Sequence, residues 1–448
     1  MRGKAAKKPN MLRQALLLLL AVVLLAGTVF VRWLQAQRPA SEPESTPIPT
    51  AIMEQPLFPS ASEPEQNVEP EPAPTEAPTE APTPTEAPTP TEAPVIEPVS
   101  TAHRSVLDKA SQIGEDDALS LWTEEAPLKS ELQDYVKAVT TEGSADFIPV
   151  EDRIAVFDFD GTLFCETDPN YFDYTMLVYR VTEDPEYKDK ASDFEKEVAA
   201  KIIDINQNGT KYEGIEVDHG KAVASAFKGM TLEEFYAYVG KFMELDMPSY
   251  TGMKRGEGFY RPMLQVVDYL EANDFTVYIV SGTDRLIVRG LVQNSKLIDM
   301  PPKQIIGSDE TMVGTAQGDT DGLQYFLHDD QVVTGGEFII KNLKMNKVSA
   351  IIRDIGQQPV LSFGNSSGDG SMDNYVIHNN KYKTGCFMLC CDDLERENGK
   401  EKKANEMVDL CKENGWTPVS MKNDWTTIYG DGVTYTPATA EEALAPAA

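Results

Sequence analysis

Histidine and cysteine are scarce in this 448-residue chain, at four and five residues, and neither forms a chemical pattern. His103, His219, His328 and His378 fall in no metal-ligand spacing, so they read as structural or surface residues. Cys165, Cys386, Cys390, Cys391 and Cys411 make no Cys-x-x-Cys pair and no regular disulfide framework. Cys386 and Cys390 lie in the strand-like stretch Thr384 to Cys391, and Cys411 shares a helical stripe with Ala404, Met407 and Val408, so core packing is their expected role. Basic residues are also short, 40 Lys and Arg against 72 Asp and Glu. The resulting net charge of −32 argues against nucleic acid and anionic lipid as partners of the acidic bulk. No glycine-rich loop of nucleotide-binding type is present, so ATP is not implied.

Other absences divide the chain. Residues 1–14 hold Arg2, Lys4, Lys7, Lys8 and Arg13 but no acid, and Ala15 to Val31 holds no charge at all. That Leu-rich run, with Arg32 and Trp33 closing it, sits at the lower edge of what spans a bilayer. Residues 15–33 are therefore expected to be a transmembrane helix, with 1–14 in the cytoplasm and the bulk of the chain outside it. A cleaved signal peptide is the competing reading, but Leu34-Gln35-Ala36 is a poor small-x-small site and no cysteine follows to make a lipoprotein. Cleavage would make the protein secreted. From 34 to 101 the chain is Pro, Glu, Thr, Ala and Ser, with Pro-Thr-Glu-Ala starting at Pro74, Pro78, Pro84 and Pro90. It lacks the apolar content to offset ordering, so a disordered stalk is expected, extended over roughly 190 Å if fully polyproline II.

After the stalk the chain turns globular. Ile154-Ala155-Val156-Phe157 reads as a strand buried on both faces, as in a parallel sheet. Asp158 and Asp160 follow at its carboxyl end, then Gly161-Thr162-Leu163-Phe164. Two close carboxylates are costly to bury unless something cationic sits between them. A second apolar run, Phe275 to Val280, ends in Ser281-Gly282-Thr283. A third, Val360 to Phe363, ends in Gly364-Asn365-Ser366-Ser367-Gly368-Asp369-Gly370-Ser371-Met372-Asp373. Between them Lys347 opens a segment whose Val348, Ile351, Ile352 and Ile355 recur at helical spacing. An acid pair, a hydroxyl, a lysine and a second acid pair are the parts of a magnesium-assisted phosphoryl-transfer site.

In this order the four motifs resemble the haloacid dehalogenase-like hydrolase superfamily, and within it the phosphoserine-phosphatase-like branch, over about Trp122 to Tyr435. The opening helix with Asp-x-Asp-Gly-Thr-Leu-Phe is also similar to phosphorylcholine-phosphatase-type members. The resemblance implies that Asp158 attacks phosphorus and that Asp160 acts as acid and then base. It implies Mg2+ held by Asp158, the Asp160 carbonyl and Asp369, with Asp373 in support. Ser281 and the Gly282 N–H would bind a phosphoryl oxygen, and Lys347 would neutralise charge. Lys341 and Lys344 are rivals, but Lys347 opens the helix and precedes Asp369 by a spacing similar to the family's.

The fold class expected is α/β, a Rossmann-like parallel sheet with helices on both faces. Its core would comprise 102–164 and 259–435, with a helical cap at 165–258 and a disordered tail at 436–448. Within the cap, Thr231-Leu232-Glu233-Glu234 is a capping box that opens a helix through Phe242. Glu166, Asp168, Tyr171 and Tyr174 lie just past the acid pair, where pocket residues would sit, Glu166 foremost. Pro127 to Val139 reads as a brace helix, Gln304 to Gly307 as a short strand, Thr311 to Gly336 as a β-hairpin excursion, and Lys402 to Asn414 as a helix closed by Gly415. The substrate expected is a small phosphomonoester such as phosphoserine or phosphocholine. Phosphotransfer to an alcohol, and a non-catalytic binding module on a stalk, remain alternatives. A dehalogenase would lack the second acid of the pair, and Asp160 is present.

Overall fold

The computed structural model describes residues 118–437 apart from 168–169, 318–319, 321–323, 327–329 and 398. The expected membrane helix, stalk and tail, residues 102–117 of the expected core, and Asp168 lie outside the described residues. Among the described residues no helix is long and apolar enough to cross a membrane.

In chain order the helices are α1 (Pro127–Thr140), α2 (Phe172–Thr182), α3 (Asp193–Asn208), α4 (Ile215–Ala226), α5 (Leu232–Met243), α6 (Arg261–Ala272), α7 (Arg285–Asn294), α8 (Met345–Ala350), α9 (Gly370–Ile377), α10 (Glu401–Asn414) and α11 (Met421–Asp424). The strands are β1 (Ile154–Phe157), β2 (Tyr250–Thr251), β3 (Thr276–Asp284), β4 (Ile305–Gly314), β5 (Val332–Ile340), β6 (Leu361–Gly364), β7 (Gly385–Cys390), β8 (Thr417–Ser420) and β9 (Thr434–Tyr435). Seven of them form one sheet in the order β5-β4-β3-β1-β6-β7-β8.

All neighbours in this sheet are parallel except β4 and β5, so the expected parallel sheet carries one antiparallel edge strand. The two pair directly across the connection at 315–331, from Gly314 opposite Val332 to Asp309 opposite Ile340.

Alternation along the strands sorts the core into two layers. Ala155, Phe157, Val277, Ile279, Leu361, Phe363, Phe387 and Leu389 face one side, and Val156, Val280, Cys386, Met388 and Cys390 face the other. Phe157, Phe363 and Phe387 stack in a row across β1, β6 and β7, with centroids 4.1 and 5.2 Å apart. The brace helix α1 buries Leu128, Leu132, Tyr135, Val136 and Val139 in the first layer. α10 supplies Ala404, Met407 and Cys411 to the second, alongside Met372 and Val376 of α9. All five cysteines are buried free thiols.

Four helices, α2 to α5, fill the segment between the first two motifs. α3 and α5 open on capping boxes, Ser192 with Glu195 and Thr231 with Glu234. The insert leaves and re-enters the core at one place, where Cys165 N–H donates to Gly258 O at 2.8 Å. β2, at its end, pairs with β9 from the last described residues.

Two boundaries differ from the sequence reading. β3 does not stop before Ser281 but runs to Asp284, with its register against β4 broken between Val280 and Asp284. A bulge of this kind bends a strand and re-aims its side chains, which alternation alone cannot reveal. Lys347 is the third residue of its helix rather than the first, and the helix widens into a π-turn over Ile351–Ile355.

Candidate active site

β1 and β6 deliver the carboxylates. Asp158 N–H donates to Phe363 O at 2.8 Å, the last rung between the two strands. The chain then turns sharply at Gly161, whose φ is +78°. A Cβ there would lie 1.8 Å from Asn365 Nδ2, so both backbone angle and space demand glycine. Asp369 sits at the start of α9, and its Oδ2 accepts from Asn365 N–H (3.1 Å), Ser366 N–H (3.0 Å) and Ser366 Oγ (3.0 Å).

Lys347 joins the two motifs. Its fully buried Nζ lies 2.5 Å from Asp158 Oδ1 and 2.8 Å from Asp369 Oδ1. Burial opposes its charge, but the two carboxylates outweigh burial and raise its pKa. Of the rivals, Lys344 sits in a turn with φ +54° and Lys341 lines the cavity; neither forms this bridge.

Asp158, Asp160 and Asp373 are all pushed upward. Burial and then Asp369 bring Asp158 to about 7, against the pull of Lys347. Burial, Asp173 and Asp158 hold Asp160 well above the usual carboxylate range, while Thr283 Oγ donates to its Oδ2 at 2.7 Å. Burial and then Asp369 raise Asp373, whose Oδ1 accepts from Ser362 Oγ at 2.5 Å. Asp160 Oδ1 and Asp373 Oδ2 are buried without a partner among the described residues. One lysine thus leaves the acid cluster under-compensated, and its hard oxygen donors suit a divalent cation such as magnesium. No three His, Cys, Asp or Glu side chains already converge on a metal position among the described residues. Two carboxylates and a main-chain carbonyl would not require that, because magnesium keeps several waters.

Above the acids lies a cavity of about 370 Å3. The core lines it with Asp158, Asp160, Gly282, Thr283, Lys341 and Asp369, and the insert adds Tyr171, Asp173, Tyr174, Ile205, Ile215 and Glu216. Glu166 also faces it, paired with Lys403 of α10 and accepting from the Cys391 thiol at 3.8 Å. Gly282 lines the cavity wall, whereas Ser281 and Asp373 are fully buried and do not line it. The Ser281 hydroxyl accepts from Thr283 N–H at 2.9 Å.

Sequence reasoning missed several residues here. Thr283 was within the recognised tripeptide without a role of its own. Lys403 and Asp173 gave no signal, since ordinary helix positions carry acids and lysines. Asp173 is nevertheless only 1 % exposed, with Oδ1 unpartnered among the described residues and Oδ2 3.8 Å from Nδ1 of buried His219. The Tyr174 ring stacks on that imidazole at 3.9 Å.

A second buried acid lies at the base of the insert. Glu397 accepts from Thr167 Oγ (2.7 Å) and Tyr250 (2.9 Å), from the Tyr429 hydroxyl, and from the Cys165 thiol at 3.6 Å. It thereby ties both ends of the insert to the closing segment of the chain.

The sequence model of the haloacid dehalogenase-like hydrolases matches residues 155–372. No curated protein matches the sequence. Among solved structures, a conserved functionally unknown protein from Anaerococcus prevotii is 13% identical and has a TM-score of 0.41, covering 66% of this chain and 93% of its own. Cytosolic 5'-nucleotidase IIIB bound to cytidine is 10% identical with a TM-score of 0.39, covering 74% and 96%. A phosphoserine phosphohydrolase-like protein from Francisella tularensis is 15% identical with a TM-score of 0.31, covering 58% and 92%.

Proposed function

Residues 155–372 are a haloacid dehalogenase-like hydrolase domain, and from that premise we propose that the protein is a magnesium-dependent phosphatase of a small phosphomonoester. The observation that carries this reading is the Lys347 bridge between Asp158 and Asp369 at the floor of a cavity that also holds Asp160. A cation between two acids favours the anionic form of Asp158 against the burial that raises it, and directs the carboxylate, as a nucleophile at phosphorus needs.

Asp158 attacks phosphorus as the bond to the ester oxygen breaks, giving an aspartyl-phosphate. Asp160, kept protonated by its surroundings, passes its proton to the leaving oxygen. The same carboxylate then takes a proton from water as water attacks the phosphoenzyme, releasing phosphate and restoring Asp158. Gly282 and Lys347 would hold the phosphoryl oxygens, with Ser281 behind the wall shaping that turn. Asp158, the Asp160 carbonyl and Asp369 would hold magnesium, with Asp373 in support through α9. Enzymes of this family generally use magnesium, which neutralises phosphoryl charge as it develops.

The insert serves as a cap that closes the cavity and selects substrate. Glu166, Asp173 and Glu216 with Tyr171 and Tyr174 make its far wall acidic and aromatic, which favours a leaving group bearing an ammonium, as in phosphoserine or phosphocholine. We further propose that residues 15–33 anchor the chain in the cell membrane, with 34–101 as a stalk and the hydrolase outside the cytoplasm. The test is phosphate release by the full chain from a panel of phosphomonoesters with magnesium. Turnover of small amino-alcohol phosphates is expected. Folded protein that releases phosphate from none of them would overturn the reading.

A further inference from the structure

The peptides that face the phosphate end of the cavity are held from behind. Ladder pairing of β3 with β1 ends at Ile279, and pairing with β4 is broken from Val280 to Asp284, so Ser281 to Thr283 lie outside the regular ladder. Side chains take over there. Asn342, in the turn after β5 and only 2 % exposed, donates from Nδ2 to Ser281 O at 3.0 Å. Ser308 Oγ donates to Gly282 O at 2.6 Å and accepts from Asn342 N–H at 3.0 Å. Leu343 packs so closely that a Cβ on Gly282 would lie 2.6 Å from its Cδ2.

In a planar trans peptide the carbonyl and the following N–H point in opposite directions. Asn342, which does not line the cavity, holds Ser281 O, so the Gly282 N–H lies on the opposite side of that peptide, and Gly282 itself forms part of the cavity wall. We infer that Asn342, with Ser308 as its support, is a positioning residue for phosphate capture, fixing the Ser281–Gly282 peptide with its N–H aimed at a phosphoryl oxygen. This rests on the phosphatase reading and adds to it a role for the antiparallel edge of the sheet. A fixed neutral donor aimed at an anion is effective because it needs no reorganisation when charge arrives.

The test measures binding of inorganic phosphate, with magnesium present, to the full chain and its variants by calorimetry, beside unfolding midpoints without phosphate. Asn342→Leu keeps the branched shape and Asn342→Ala removes it, and neither can donate to Ser281 O. Each should weaken phosphate about tenfold or more, while a purely structural residue would lower the midpoint and leave affinity in the folded fraction unchanged. Folded variants that bind phosphate like wild type would overturn the inference. If neither variant folds, Ser308→Ala decides: at least threefold weaker binding is expected, and unchanged binding overturns the inference. Wild-type protein that binds no phosphate would overturn the phosphatase reading, and this inference with it.

Discussion

Asp158 and Asp160 are two residues apart yet keep different company, one on a lysine ammonium and the other on a threonine hydroxyl. The proposed roles follow from that difference. Asp158→Asn should abolish turnover and form no phosphoenzyme. Asp160→Asn should slow turnover roughly a hundredfold to ten-thousandfold with alkyl phosphates. An aryl phosphate, whose leaving group needs less protonation, should restore its first step and let phosphoenzyme accumulate. Acid-quenched labelling with a radioactive aryl phosphate checks this, and label retained by Asp158→Asn but not by Asp160→Asn would mean reversed roles. Elsewhere, Glu310 on β4 is 3 % exposed with neither carboxylate oxygen partnered among the described residues. Burial first, then Asp284 and Asp309, push it up from the ordinary glutamate value of 4.5 to about 9. The folded state therefore holds a proton that the unfolded state has lost between those two values. Its contribution is complete below about 4.5 and is lost as pH rises towards 9, at no more than about 1.4 kcal/mol per pH unit. Glu310→Gln removes that titration, so urea unfolding at pH 6 and pH 8.5 should show a shallower decline than wild type.

At the scale of elements, the sequence made β1, α1, β6, α10 and the Thr231 capping box legible, because each rests on local periodicity or a cap. Lys347 was legible too, through its spacing to Asp369. The bulge in β3 was not, since register depends on a neighbour that the strand's own residues do not encode. Glu397 is the clearest case of what stayed hidden: its Thr167 and Tyr250 partners lie 230 and 147 residues away. Asn342 is similar, 61 residues from the carbonyl it holds. The Glu397 cluster also makes a prediction about the insert. Tyr429→Phe removes one of the donors to a buried carboxylate and should cost about 1–3 kcal/mol. Amide hydrogen exchange should quicken at Cys165 to Thr167 and at Tyr250, the two ends of the insert, more than in β1 or β6. Equal quickening throughout would mean that Glu397 stabilises the fold at large and does not fasten the insert.

For the molecule as a whole, a cavity of about 370 Å3 walled partly by the insert sets an upper size on what reaches Asp158. Small phosphomonoesters should be hydrolysed and a phosphorylated folded protein rejected; comparable rates on both would remove the cap from the proposal. If residues 15–33 anchor the chain, protease added to cells without an outer membrane should release an active fragment by cutting within 34–101. Protection until lysis would overturn that topology. The pairing of β2 with β9 and the Tyr429 bond to Glu397 also have a consequence in time. A ribosome delivers Asp158 early and Tyr429 late, at roughly 5–20 residues per second. For many seconds a nascent chain thus carries its acid pair and its insert without the Glu397 cluster or the β2–β9 pair that fasten the ends of the insert. The fastening of the insert's two ends is complete only when the last described residues dock, so a chain cut short after the final aspartate motif would possess every recognised motif and still lack it.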